Sequence, residues 1–312
     1  MKTLWPIHSF NFTLWNAAQV DWGDARRQID DMVDKCGINT VTFIVSAQQA
    51  HTYSTDIDWK GPHMPSDADL TDLMRYAADK GLRCILKPML NPTDGYWRAH
   101  IRFFDEDVPC EPKWGDWFHN YQDYIVHYAA LCEREGIDML ITGCELVGTD
   151  HRETEWRTLI AAVRAVYGGL VTYNCDKYQE HNVAWWDACD AISSSGYYPV
   201  TDWPQQIERI ARVVEKFDKP FFFSEVGCPS TAHAGEIPND WTRIGKNPYD
   251  AAEQAKFFHV MFEACEPLDW HFGYCIWDWP FNLRPDYDPK TEKGYAVIDK
   301  PAAALIRDCF SR

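Results

Sequence analysis

The feature that most constrains this chain is an alternation. Short apolar, β-branched runs recur along it, each followed by a stretch of helical periodicity. The runs are Ile7–Leu14, Thr40–Val45, Arg83–Leu90, Met139–Gly143, Leu170–Tyr173, Ala191–Ser195, Pro220–Ser224 and Phe272–Trp277. Both parities are mostly apolar, as parallel strands buried on two faces require. Helices are expected over Trp22–Cys36, Asp67–Lys80 behind Ser66 as N-cap, Trp114–Glu135 and Glu153–Tyr167. A short one is expected over His181–Ala188, and proline-led ones over Pro204–Phe217, Pro248–Cys265 and Pro301–Arg312. Eight strand–helix units in 312 residues predict a closed (β/α)₈ TIM barrel, α/β in class, with one domain over 1–312. An open doubly wound sheet fits less well, because no Gly-rich phosphate loop follows the first strand.

Thirty Lys+Arg against 47 Asp+Glu give a net charge of −17. Such a surface repels phosphate backbones and anionic lipid, so nucleic acid and membranes are poor partners. No apolar run is long enough to span a bilayer, and Met1 to Pro6 lacks the apolar stretch of a leader. The 11 cysteines form no C-x-x-C pair, which predicts buried free thiols and a cytoplasmic protein. Aromatics are abundant: 15 Trp, 15 Tyr and 16 Phe. More than half should fill the core, leaving the rest to line a surface.

In a barrel of this kind reactive groups stand at the C-terminal ends of strands. Glu145 follows the fourth run in Gly143-Cys144-Glu145-Leu146, and Glu225 follows the seventh in Ser224-Glu225-Val226-Gly227. A carboxylate at the end of an apolar strand is desolvated unless it has a partner or a task. Two of them facing one cavity suit glycoside hydrolysis, where one gives a proton to the leaving oxygen and the other attacks or activates water.

The resemblance rests on pieces in a fixed order. They are Lys87-Pro88, Asp94-Gly95-Tyr96-Trp97-Arg98, His127-Tyr128-Ala129, Gly143-Cys144-Glu145-Leu146 and Glu155-Trp156-Arg157. Val166 to Tyr173, Gly196-Tyr197-Tyr198-Pro199, Ser224-Glu225-Val226-Gly227 and Trp277-Asp278-Trp279-Pro280 complete them. In order and spacing the chain resembles glycoside hydrolase family 113, retaining β-mannanases of clan A. The resemblance is weakest before about Val41 and between Gly227 and Pro248. It implies Glu145 as acid/base, Glu225 as nucleophile, Tyr197 as a hydroxyl steadying the nucleophile, and Trp277 as the floor of the cleavage subsite. One position departs from the clan: where many members carry Asn before the acid/base, this chain has Cys144, a weak donor.

Lys87, Asn91, Asp94, Trp97 and Arg98 in the third strand–helix loop, and Trp15 after the first strand, are further candidates for substrate contact. Gln48-Gln49 after the second strand joins them, whereas Trp185-Trp186 reads as core. No H-E-x-x-H, H-x-H, Walker loop or G-x-G-x-x-G is present, so neither metal nor cofactor is expected. The sequon Asn11-Phe12-Thr13 falls inside a strand. The expected partner is a β-linked oligosaccharide or polysaccharide, cleaved at β-1,4-mannosidic links by double displacement. An exo-acting β-mannosidase or β-glucosidase, and a sugar-binding barrel without turnover, remain open. A cleft closed by the Gly227–Pro248 loop would favour exo action. The sequence does not specify an oligomeric state.

Overall fold

The computed structural model describes residues 3–312; the first two residues of the segment tested as a leader, Met1 and Lys2, lie outside the described residues. The elements run β1 (Ile7–Thr13), α1 (Trp22–Cys36), β2 (Thr40–Gln49), α2 (Asp67–Asp79), β3 (Arg83–Pro92) and α3 (Trp114–Glu135). They continue with β4 (Met139–Cys144), α4 (Glu153–Val166), β5 (Leu170–Cys175), β6 (Ile192–Ser195) and α5 (Trp203–Phe217). The last are β7 (Phe221–Val226), α6 (Thr242–Lys246), α7 (Ala251–Cys265), β8 (His271–Pro280) and α8 (Pro301–Phe310). All strands are parallel, each pairs with the next, and β8 returns to β1 to close the (β/α)₈ barrel. Closure passes through Gly273, at φ +120°; a Cβ there would lie 2.1 Å from the Ile7 carbonyl oxygen. Among the described residues, no helix is long and apolar enough to cross a membrane.

Alternation along β3 shows how the barrel is filled. Cys84, Leu86 and Leu90 pack outward under the helices, while Ile85 and Met89 join the inner clusters. Lys87 stands between those two inward residues, wholly buried. Near it the interior is polar: Ser9 bonds Thr42 at 2.8 Å, and Asn11 donates to the carbonyls of Ser224 and Cys275. Asn11 is thus buried and unavailable for glycosylation.

β3 and β4 pair only at Ile85–Met139 and Leu86–Leu140, then splay. Helix α3 covers the gap with an aromatic stripe at helical spacing, Trp117, Tyr121, Tyr124 and Tyr128. Beyond the last paired residues, Tyr124 donates to the Met89 carbonyl at 2.9 Å and Tyr121 to that of Thr142 at 3.0 Å. The helix therefore supplies bonds where the ladder ends.

Two helix expectations are corrected. His181–Ala188 is not helical beyond a single 3₁₀ turn at Trp186–Ala188. Both Trp185 and Trp186 are buried, and adjacent residues on a helix point about 100° apart, so a surface helix could not bury both. Instead Trp185 stacks on Trp156 at 4.8 Å and Trp186 donates to the Glu180 carbonyl at 2.9 Å. Helix α7 starts at Ala251 rather than Pro248, because the Asp250 side chain caps it by accepting from the amides of Ala252 and Glu253.

Candidate active site

Glu145 lies one residue past β4, just after the strand's register shifts between Ile141 and Cys144. Its backbone has φ +52°, a left-handed conformation that non-glycine residues adopt at a cost of about 1–2 kcal/mol. An amide bond of 2.8 Å to the Asn174 carbonyl holds it there. The turn directs the side chain over the barrel mouth, where Oε1 accepts from Ser195 at 2.7 Å. Oε2 accepts from Arg98 at 2.9 Å and from the Trp97 indole at 3.3 Å.

Glu225 is the penultimate residue of β7 and lies within the register shift between Phe223 and Val226. Gly227 lets the chain pass close to β8, since a Cβ there would lie 2.3 Å from the Trp277 carbonyl oxygen. Three donors converge on the Glu225 carboxylate: Lys87 at 2.5 Å and Cys144 at 3.1 Å on Oε1, and Tyr197 at 3.1 Å on Oε2. Burial pushes this carboxyl upward, but the Lys87 and Arg98 cations and the bonds from Lys87 and Cys144 outweigh it and hold Glu225 below the usual carboxylate range. Burial keeps the Cys144 thiol and Tyr197 hydroxyl protonated, so both remain donors.

The two glutamates are joined by buried polar side chains. Lys87 donates to Asn174 Oδ1 at 2.6 Å, Asn174 donates to Ser195 at 3.1 Å, and Ser195 donates to Glu145. On the other side Arg98 spans Glu145 and the Cys144 sulfur, 3.6 Å away. One carboxylate oxygen of each glutamate and the Cys144 sulfur lie within 4.8 Å of one another. Nearest oxygens this close are in keeping with the tight carboxyl pair of a retaining glycosidase, about 5–5.5 Å between groups, rather than the wider pair of an inverting one. The same three donors could approach one cation, but Lys87 and Arg98 already place positive charge on both carboxylates.

Above the pair is a hollow of about 620 Å³. Glu145, Glu225, Tyr197, Trp277, Trp97, Arg98 and Trp15 line it, all expected from the sequence. Trp277 is buried with its indole N–H unpartnered, and Trp15 stands beside it at 5.8 Å between ring centroids. Three residues expected to meet substrate do not reach the wall. Lys87 lies beneath Glu225; Asn91 bridges Arg98 and Ser46 at 2.7 Å each; and Asp94 accepts from the Thr52 and Tyr96 amides and meets His51 at 3.3 Å. Gln49 is likewise turned away, accepting from the Trp117 indole at 3.0 Å. Missed by the sequence reading are Asn174 below the pair and Asp176, Lys177, Asn239 and Trp241 in the wall. Asp176 and Lys177 immediately follow β5, where the strand-end rule that found Glu145 applies equally. Asn239 and Trp241 sit in an irregular loop with no periodic signal.

A parallel barrel bearing a retaining-type carboxyl pair under an indole-walled hollow has the equipment of a glycoside hydrolase. Comparison with known proteins narrows the class. The family described as Glycoside Hydrolase Family 113 matches residues 10–300, and the chain belongs to that family. A solved structure described as a GH113 β-1,4-mannanase is 41% identical, with TM-score 0.93 over 100% of this chain and 99% of the other. A complex of a GH113 β-1,4-mannanase is 40% identical, with TM-score 0.93 over 99% of each chain. The GH113 β-mannanase AaManA from Alicyclobacillus acidocaldarius, in complex with ManMIm, is 36% identical, with TM-score 0.92 over 99% of this chain and 98% of the other. No curated protein matches the chain.

Proposed function

We propose that this chain, acting as a single catalytic domain, is a retaining endo-β-1,4-mannanase that takes mannan or manno-oligosaccharides. The carrying observation is the carboxyl pair within 4.8 Å under an indole-lined hollow, in a chain 36–41% identical to β-1,4-mannanases. A mannose ring lies against Trp277, whose flat face matches the C–H face of a pyranose and sheds water with it. Glu225, ionised and steadied by Lys87, Cys144 and Tyr197, attacks the anomeric carbon. Glu145 gives its proton to the departing oxygen as the glycosidic bond breaks. It then takes a proton from water, whose oxygen displaces Glu225 and releases the sugar with its original anomeric configuration.

Endo action is supported by a second hollow of about 530 Å³, which adjoins the first and shares Trp15 and Trp241 with it. The loop after β7 contributes Trp241 to this shared wall, and the groove continues beyond it. Two adjoining hollows accommodate more sugar rings than an exo enzyme needs. The fully unpaired set of cysteines, with Cys110 alone exposed, supports a reducing, cytoplasmic setting, to be checked by cell fractionation.

Separate E225Q and E145Q variants test the roles. Each should lose at least about 10³-fold in kcat on mannotetraose, the scale of removing a nucleophile or essential acid. Product analysis by proton NMR should show β-configured mannobiose first. Full activity in either variant, or an α-configured first product, rejects the mechanism.

A further inference from the structure

Asp176 is the unexplained acid of the hollow. It is the first residue past β5 and lines the cavity, yet it is only 7% exposed. Its Oδ1 is buried without a hydrogen-bond partner; the closest cation, Lys177 Nζ, is 3.7 Å away. A buried carboxyl oxygen facing a cavity without a donor is destabilising unless something entering the cavity bonds it. The structural duties of this residue are met by its backbone: the carbonyl accepts from the Gln179 amide and the Cys175 thiol. The side chain is not needed for them.

Barrel order fixes which side of the hollow it serves. Eight strands in ring order place β5 opposite β1, and β4 opposite β8. Trp15 and Trp277, from the β1 and β8 ends, therefore face Asp176 and Glu145 across the mouth. The second hollow lies on the side of the indoles, continuing past Trp15 along the chain after β8. A ring attacked by Glu225 rests on Trp277, its departing oxygen points to Glu145, and the sugar beyond that oxygen extends toward β5.

We propose that Asp176 holds the leaving-group sugar, its carboxyl exchanging hydrogen bonds with a ring hydroxyl of the mannose released at cleavage. This rests on the mannanase reading above. Burial and the neighbouring Glu145 push the Asp176 carboxyl up to about 8, against the pull of Lys177. A carboxyl raised in this way holds a proton more readily than a free aspartate; it accepts from a sugar hydroxyl in either form and donates to one when protonated. Lys177 beside it adds a second donor on the same wall.

The test compares two substrates in wild type, D176A and D176N. Mannotetraose offers a leaving sugar, while 2,4-dinitrophenyl β-mannobioside leaves a group with no ring hydroxyl to hold. D176A should lose about tenfold in kcat/KM on mannotetraose, the scale of one lost hydrogen bond, and transfer less product to added mannobiose. Its rate on the aryl substrate should stay within about twofold. D176N, which keeps an acceptor and a donor in place, should recover most of the mannotetraose rate. Equal loss on both substrates overturns the proposal, as does no loss on either. A mannotetraose loss accompanied by a displaced alkaline limb of the pH profile also overturns it, because Asp176 then acts through the charge of Glu145 rather than on the sugar. Should D176A not fold, D176L, closer to the native volume and equally unable to bond a hydroxyl, replaces it with the same expected and overturning outcomes. Wild-type enzyme inactive on every β-mannoside would fell the mannanase reading itself, an outcome distinct from variants that fail beside an active parent.

Discussion

At the scale of single residues, the decisive group is Lys87. It is a fully buried ammonium whose bonds all go to barrel-interior oxygens, those of Asn174, Ser224 and Glu225. Replacing it with Met leaves Glu225 charged in a cavity with one fewer donor. Breaking such a buried pair costs about 3–5 kcal/mol, which thermal unfolding of K87M should show. The same change removes the first of the forces that hold Glu225 down, so burial gains and the carboxyl titrates higher. The acid limb of kcat/KM should accordingly move to higher pH in K87M; an unmoved limb rejects this account of the nucleophile. How much of this could be read beforehand depends on the residue. Glu145 and Glu225 were legible because a charge ending an apolar strand stands out. Lys87 was legible only as a substrate-contact candidate of the third strand–helix loop; its place inside β3 beneath Glu225 follows from inward parity and barrel closure. Asn91 still belongs to β3, and Asp94 shares a loop with Trp97 but is turned the other way, which no local pattern carries.

At the scale of elements, the eight strands were legible from their apolar runs, and their ends were not. β2 and β3 pair residue by residue out to Gln49–Pro92, beyond the apolar runs that ended at Val45 and Leu90. There a neighbouring ladder, not hydrophobicity, extends the strand. β5 likewise continues through Asn174 and Cys175, which is why the acid just after it went unread. The segment between β5 and β6 shows the opposite failure, where burial of two adjacent indoles overrides a helical pattern. Trp185 anchors that segment by stacking on Trp156 and donating to the Asp150 carbonyl at 3.3 Å. W185A should lose about 3–5 kcal/mol of stability. Amide exchange should rise over residues 176–190 while β1 to β3 stay protected. A uniform rise across the barrel would show that Trp185 supports the whole fold instead.

At the scale of the whole molecule, several carboxyls are buried against their preference. Asp150 and Asp176 are each pushed up to about 8, and Asp278 to about 7, chiefly by burial. A folded-state acid raised in this way keeps a proton that the unfolded chain gives up near pH 4. The folded state therefore loses ground as pH rises toward about 8. On the other side, burial lowers His271 to about 3, so protonation of the unfolded chain below about pH 6.5 also costs stability. The three raised acids outweigh the one lowered histidine, so the thermal midpoint should fall as pH rises from about 5 to 8 and level off above it. Asp150 accepts from Tyr173 at 2.7 Å, and D150N, which mimics the protonated acid, should flatten this fall by about one proton. A midpoint that climbs from pH 7 to 8.5 would contradict this. Two exposed indoles of the mouth, Trp15 and Trp241, make no hydrogen bond to the carboxyl pair below them. They come from separate loops and carry little of the packing. Changes there need not disturb the barrel, so natural drift or deliberate engineering can retune which polymers this scaffold accepts while its foundations stay untouched.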